Sequence, residues 1–289
     1  STLLASSAAS DVYKRQYTDW CMARLAEWLG KEGDRAHFDK RALSYATIFD
    51  PESGWFRPRN EKGVFSSLPE KGRLQEGYGC VESNPYQQGW FVPHDVEGMI
   101  RLMGGDKSFV SKLDSLFTMH LPAEFFAQTE DVTEEGLLGG YVHGNEPSHH
   151  VIYLYNKVGQ PWKTQKYVAE VLHNLYQNAP DGICGNEDCG QMSAWFVFSS
   201  MGFYPVDPIS GKYEIGTPIF PEVKMHLANG KTFAVLAPAV SRENIYVQSV
   251  KLNGRPYDKS YITHEQIMNG DTLEFEMGNR PGPVWYNNM

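Results

Sequence analysis

Gly185-Asn186-Glu187-Asp188-Cys189-Gly190-Gln191-Met192-Ser193-Ala194-Trp195 sets two carboxylates in a glycine-flanked turn, directly ahead of an apolar run. That run, Gln191 to Met201, is the most apolar helical pattern in the chain, and Gly202 closes it. A turn at the mouth of a buried helix aims acidic side chains into a cavity, where a metal, a water or a sugar can meet them. Glu82-Ser83-Asn84-Pro85-Tyr86-Gln87-Gln88 and His143-Gly144-Asn145-Glu146-Pro147-Ser148-His149-His150 have the same character. Each is polar, turn-rich and acid-bearing, and each precedes an apolar run with aromatics. Three such loops at the mouths of successive helices point to one shared site.

Upstream of these loops the pattern is helical. Trp20, Leu25, Trp28 and Leu29 recur at three-to-four spacing, and Gly30 ends the run. Phe38, Leu43, Tyr45 and Ile48 carry a second helix that Asp50-Pro51 stops. Val96 to Met103 and Phe109 to Met119 form a pair split by Gly104-Gly105-Asp106, with Asp106 as the expected N-cap. Ser148 to Tyr155 reads as an aromatic-rich buried helix, and Trp162 to Tyr176 as an amphipathic one. After Phe203 the period changes. Val223 to Leu227, Thr232 to Leu236, Ile245 to Leu252 and Thr272 to Glu276 read as strands. Asn229-Gly230, Asn253-Gly254 and Asn269-Gly270 separate them as hairpin or tight-turn signals. The fold class expected is mainly α with a β-rich C-terminal part. Residues 17–206 would form part of an (α/α)6 barrel, and residues 207–289 a small antiparallel β module. Ser1 to Gln16 are small, polar and aperiodic, and are expected to be a non-native or disordered leader, residues 1–16, with the fold starting near Tyr17.

Composition narrows the function classes. The 289 residues carry a formal charge of −9, so the surface repels nucleic-acid phosphates, and no Lys/Arg-rich run overrides it. No apolar stretch reaches the roughly 20 residues a membrane span needs. Aromatic content of 13% is high, and flat apolar faces suit sugar rings as well as a core. The four cysteines, Cys21, Cys80, Cys184 and Cys189, lack paired C-x-x-C spacing. Cys184 and Cys189 either bridge the acidic turn or stay as thiols.

Glycoside hydrolysis needs a protonated acid for the leaving oxygen and, in an inverting enzyme, a base for water. Glu82 sits among apolar and aromatic residues, where desolvation keeps a carboxyl protonated, so it is the candidate acid. Glu187 and Asp188 are candidate bases. The alternative for this pair is helix N-terminal charge that complements the macrodipole. Asn145, Glu146 and Asp188 offer only oxygen ligands, which favour Ca²⁺ over zinc. A zinc site on His143, His149 and His150 lacks H-E-x-x-H spacing. One of these histidines is expected in the core and one on ligand. His94 and Asp95 are candidate contacts to sugar hydroxyls; capping the helix that begins at Val96 is the alternative for Asp95.

ESNPYQQGWFVPHDVEGMI, YVHGNEPSHHVIYLYN and GNEDCGQMSAWFVFSSMGFYPVDPISGKYEIGTPIF closely resemble glycoside hydrolase family 92, the calcium-dependent exo-α-mannosidases. The resemblance runs from about Tyr17 to the C-terminus. It implies an inverting mechanism in an (α/α)6 barrel, with an N-terminal β-sandwich domain completing the cleft. By position, Glu82 matches the general acid, Asp188 the base, and Asn145 and Glu146 the metal-binding loop, with Ca²⁺ as cofactor. His94, Asp95, His143 and Glu187 are placed as substrate contacts. Position 186 is Asn where some members carry Asp, so base catalysis rests on Asp188. The β-sandwich and first barrel helices lie upstream of this chain, which is expected to be a C-terminal fragment. The expected partner is an α-mannoside glycan, and the expected location periplasmic or secreted. The alternative is a catalytically incomplete sugar-binding or structural fragment.

Overall fold

The structure is a computed structural model that describes residues 8–60, 62–68, 80, 84–120 and 136–287, with the backbone alone for 8–14. It separates into two compact units, Ser1–Ser148 and His149–Met289. This division lies at a different place from the one expected at residues 206–207. No helix among the described residues is long and apolar enough to cross a membrane.

In the first unit, helix α1 spans Ala8–Trp28 and α2 spans Glu32–Ala42. Helix α1 runs through the boundary set at residues 16–17. No Gly or Pro interrupts residues 1–29, so nothing local stops the helix there. A 3-10 turn, Leu43–Ile48, leads into a minimal hairpin of β1 (Phe49–Asp50) and β2 (Trp55–Phe56). Helix α3 (Pro85–Gln88) is a single turn, started by Pro85 and capped by Asn84, whose Oδ1 accepts from the Tyr86 and Gln87 amides. Helix α4 (Val96–Leu102) and α5 (Asp106–Thr118) follow. Gly105, at φ 87°, takes the N-cap position expected of Asp106, which instead places its charge in the first turn. Phe109, Leu113, Leu116 and Phe117 face inward from α5, the i, i+4, i+7, i+8 stripe of a helix on a core. Strands β3 (Leu137–Leu138) and β4 (Tyr141–Val142) form a hairpin around Gly139-Gly140. A Cβ on Gly139 would lie 2.7 Å from the Leu116 carbonyl, so only glycine lets the hairpin approach the end of α5.

The second unit begins with a 3-10 segment, Val151–Val158, where an α-helix was expected. Its residues from Val151 to Asn156 are all buried, so there is no exposed face to set a 3.6 period. Helix α6 (Pro161–Asn174) and α7 (Gln191–Ser200) match the expected helices closely. Beyond them stand two sheets. The smaller joins β5 (Phe203–Tyr204), β6 (Lys212–Ile215) and β11 (Tyr261–Thr263) in the order β11-β6-β5. The larger has the order β10-β9-β12-β8-β7, from β7 (Glu222–His226), β8 (Thr232–Leu236), β9 (Tyr246–Leu252), β10 (Arg255–Pro256) and β12 (Thr272–Gly278). Helix α8 (His264–Asn269), held by a Thr263–Gln266 capping box, precedes β12.

The module is antiparallel except for one pair: β12 runs parallel to β8. The segment 237–245 between β8 and β9 is no tight turn, so the edge of β8 stays open and β12 fills it. Alternation along the strands turns Phe233, Val235, Leu273, Phe275 and Met277 inward, onto Val247, Val250 and Ile267. Each such side chain contributes about 1.5–3 kcal/mol by burial.

Candidate active site

The acidic turn of the second unit is built from its base upward. Tyr176, just past α6, pairs in a single bridge with Ile183, and the Gln177 amide donates to the Gly182 carbonyl at 2.8 Å. A Cβ on Gly182 would fall 2.0 Å from the Gln177 oxygen, so this closure demands glycine. The Tyr176 hydroxyl donates to the Met192 carbonyl at 3.1 Å, and its ring stacks on Trp195 with centroids 6.1 Å apart. The loop is thereby clamped at both ends to α7.

Within the loop, Asp188, Cys189 and Gly190 all have positive φ, at 46°, 58° and 92°. Two consecutive non-glycine residues in this region are strained, by about 1–2 kcal/mol each. Strain held by a clamped loop is a common mark of a functional site. The two carboxylates behave differently. Glu187 accepts from the Ser193 amide and the Ser193 hydroxyl, both at 3.0 Å, so it caps α7. This is the helix-terminus role weighed for the pair. Asp188 is exposed, and no hydrogen bond to its carboxylate exists among the described residues. It is the carboxylate that remains available to a water or a cation. Cys184 is buried, with its thiol pushed up to about 11 by desolvation, and Cys189 is exposed; the two are not bonded to each other.

In the first unit, Glu82 lies outside the described residues. Asp95 caps α4: its Oδ1 accepts from the Gly98 amide at 2.9 Å and its Oδ2 from the Tyr45 hydroxyl at 2.6 Å. Burial and this hydrogen bond raise the Tyr45 pKa. The Nε2 of His94 donates to the Ala42 carbonyl at 3.0 Å, and the ring packs among Tyr17, Trp20 and Tyr45. His94 and Asp95 thus bind their own chain as ring and cap. His143 is fully buried, and its Nδ1 lies 2.9 Å from the Tyr141 hydroxyl. Asn145 is buried beside it, with its carbonyl accepting from Ser148, and Glu146 starts the 3-10 turn Glu146–Ser148.

Among the described residues no group of three His, Cys, Asp or Glu side chains is arranged to hold a metal. Taken singly, the Asn145 carboxamide and the Glu146 and Asp188 carboxylates are hard oxygen donors of the kind Ca²⁺ takes.

Sequence reasoning missed the residues that support the turn. Tyr176, Gln191 and Tyr204 were not singled out. The Gln191 carboxamide donates to Tyr204 at 2.9 Å and meets His149 Nδ1 at 3.1 Å. Burial pushes the Tyr204 hydroxyl up to about 12, while the Gln191 amide pulls it the other way. An aromatic immediately before the loop was the one available signal for Tyr176.

A secreted glycosidase of uncharacterised activity from Arthroderma benhamiae is 29% identical, over 96% of this chain and 36% of its own length. An alpha-mannosidase of family GH92 from Bacteroides thetaiotaomicron is 41% identical with a TM-score of 0.87, across 96% of this chain and 36% of that one. A GH92 inverting mannosidase from the same organism is 36% identical with a TM-score of 0.83, across 95% of this chain and 38% of that one. The chain thus spans little more than a third of the length of these relatives. The profile of the glycosyl hydrolase family 92 catalytic domain matches residues 3–279, nearly the whole sequence, and the chain belongs to that family.

Proposed function

We propose that this chain carries the acid–base residues of an exo-acting α-mannosidase, which hydrolyses terminal α-linked mannose from glycans by a Ca²⁺-dependent inverting mechanism. The observation that carries this reading is Asp188: an exposed carboxylate on strained backbone, without a hydrogen-bond partner among the described residues, in a family with mannosidase members. Glu82 would donate a proton to the glycosidic oxygen as the C–O bond breaks. Asp188 would take a proton from the water whose oxygen bonds to the anomeric carbon from the opposite face. One displacement of this kind inverts the anomeric centre and needs no covalent sugar–enzyme bond. Asn145, Glu146 and Asp188 would hold Ca²⁺, which supplies a Lewis-acidic grip on sugar hydroxyls. The same reading makes residues 17–206 part of an (α/α)6 barrel, completed by a β-sandwich elsewhere in a longer polypeptide. The secreted relative supports a periplasmic or secreted location.

The test is mannose release from α-1,2-, α-1,3-, α-1,4- and α-1,6-linked mannobioses, with Ca²⁺ or chelator, by this chain and by a longer polypeptide containing it. Calcium-dependent release as β-mannose is expected, with loss of turnover but retained mannose binding in Glu82→Gln. Full turnover by Glu82→Gln removes Glu82 as the acid. The short span of the chain favours a second reading, a sugar-binding fragment without turnover. Mannose binding without product from either polypeptide selects it.

A further inference from the structure

Gly190, the residue ahead of α7, has no side chain with which to cap the helix. The amides that follow are satisfied from Glu187 instead. Its carbonyl accepts from the Met192 amide at 3.3 Å, its Oε1 from the Ser193 amide at 3.0 Å and its Oε2 from the Ser193 hydroxyl at 3.0 Å. One residue thus closes the segment 187–193 on itself through both backbone and side chain. Within that closure Asp188, Cys189 and Gly190 form a left-handed arc, which a free chain would leave for the right-handed or extended regions. An ionised carboxylate only accepts, so the direction of the side-chain bonds is fixed. The base of the loop is held separately, by the Tyr176–Ile183 bridge and by the Tyr176 hydroxyl on the Met192 carbonyl. Loss of the Glu187 carboxylate therefore frees the tip of the loop and leaves its base in place. Asp188 is exposed at that tip, and the arc sets the direction of its side chain.

We propose that Glu187 is a positioning residue for the α-mannosidase reaction: its closure on Ser193 holds the left-handed arc that aims the Asp188 carboxylate at the attacking water. The role in turnover rests on the mannosidase reading; the closure rests on the geometry alone. The two neighbouring acids then divide the work. Asp188 takes the proton, and Glu187, turned back onto α7, touches neither the reacting water nor the sugar. A carboxamide of the same length can keep both side-chain bonds, accepting from the Ser193 amide and donating to the Ser193 hydroxyl oxygen. This role therefore needs length and hydrogen-bonding capacity, and the charge is dispensable. A carboxylate that moved a proton or held a cation would need its charge.

The test pairs hydrogen exchange at the Ser193 amide of this chain with turnover of an α-mannobiose at saturating Ca²⁺, by this chain and by the longer polypeptide. In Glu187→Ala, exchange at Ser193 is expected to quicken by about tenfold or more. Its kcat is expected to fall by about 10–100-fold with KM within about twofold, since a shift near 1 Å at a reacting group costs that much. Glu187→Gln is expected to restore the parent exchange and to bring kcat within about threefold of the parent. Ser193→Ala removes the hydroxyl bond and keeps the amide, so a loss of about two- to fivefold is expected. Glu187→Ala combined with Ser193→Ala should be no slower than Glu187→Ala alone, because both act through one contact. Turnover as low in Glu187→Gln as in Glu187→Ala, or losses that multiply in the double variant, would give Glu187 a direct contact and overturn the proposal. Parent exchange at Ser193 in Glu187→Ala overturns the closure. Faster exchange with unchanged kcat overturns the role in turnover. If neither polypeptide releases mannose, the mannosidase reading fails and the role in turnover with it, while the exchange rates still decide the closure.

Discussion

Replacing Lys157 by Met should destabilise the second unit far more than an ordinary surface lysine change. Lys157 ends the buried 3-10 segment, and its ammonium meets Glu214 on β6. The Glu214 side chain is 3% exposed and that of Lys157 30%. Glu214 also accepts from the Ser260 hydroxyl at 3.1 Å, with the Asn156 amide at 3.5 Å. Removing the lysine leaves a buried carboxylate with polar neighbours but no cation. Breaking buried pairs costs about 3–5 kcal/mol, and the partial exposure of Lys157 places this one toward 2–3 kcal/mol. Glu214→Gln keeps most of the hydrogen bonds and removes the charge, so about 1 kcal/mol is expected. The double variant, with no charge left to strand, should cost little more than Glu214→Gln alone. Urea unfolding followed by tryptophan fluorescence gives all three values, and the coupling should be near 2 kcal/mol. Strict additivity, with coupling below about 0.5 kcal/mol, would refute the reasoning: the pair would then be screened like a surface ion pair.

Three further outcomes follow from the geometry. Cys189, at φ 58°, should tolerate Gly, whereas Cys189→Val forces a β-branched residue into the left-handed region and should lower stability by more than about 1 kcal/mol in thermal melts; equal melts for the two variants would contradict the strained turn. The Ser53 hydrogen bond, together with Arg57, holds the Asp50 carboxyl at about 2, below its usual 3.8. Its contribution is present above pH 3.8 and lost as pH falls toward 2, so Asp50→Asn should destabilise the first unit at pH 7 and converge with the parent near pH 2. A constant gap between the two acid-unfolding curves would count against it. Gly182→Ala should break the Tyr176–Ile183 closure, read as faster amide exchange at Gln177; unchanged protection would show that the loop is held some other way.

Much of the β module was legible because its strands alternate and its turns are chemically marked. Asn253 and Gly254 have φ of 51° and 75°, as a two-residue hairpin of this composition requires. Asn269-Gly270 looked the same in sequence but serves as a helix end, with Gly270 capping α8. The placement of β12 between β9 and β8 was not legible, since pairing of distant strands leaves no local pattern. The three-stranded sheet escaped notice because its strands are two to four residues long, shorter than any window that shows a period. In the site, the capping role of Asp95 was visible from its position before Val96. The link between Gln191 and His149 was not, because 42 residues separate them and neither carries a motif on its own.

Because β12 sits inside the five-stranded sheet rather than at its rim, the last of these five strands in sequence is the one that joins the rest. Strands β7 and β8 on one side, and β9 and β10 on the other, share no ladder without it. While the ribosome still holds Thr272–Gly278, the nascent module is two separate ribbons with open, hydrogen-bond-hungry edges. Its cooperative folding therefore waits until that strand has emerged, and a stop codon or proteolytic nick shortly before residue 272 would cost the whole sheet rather than one strand.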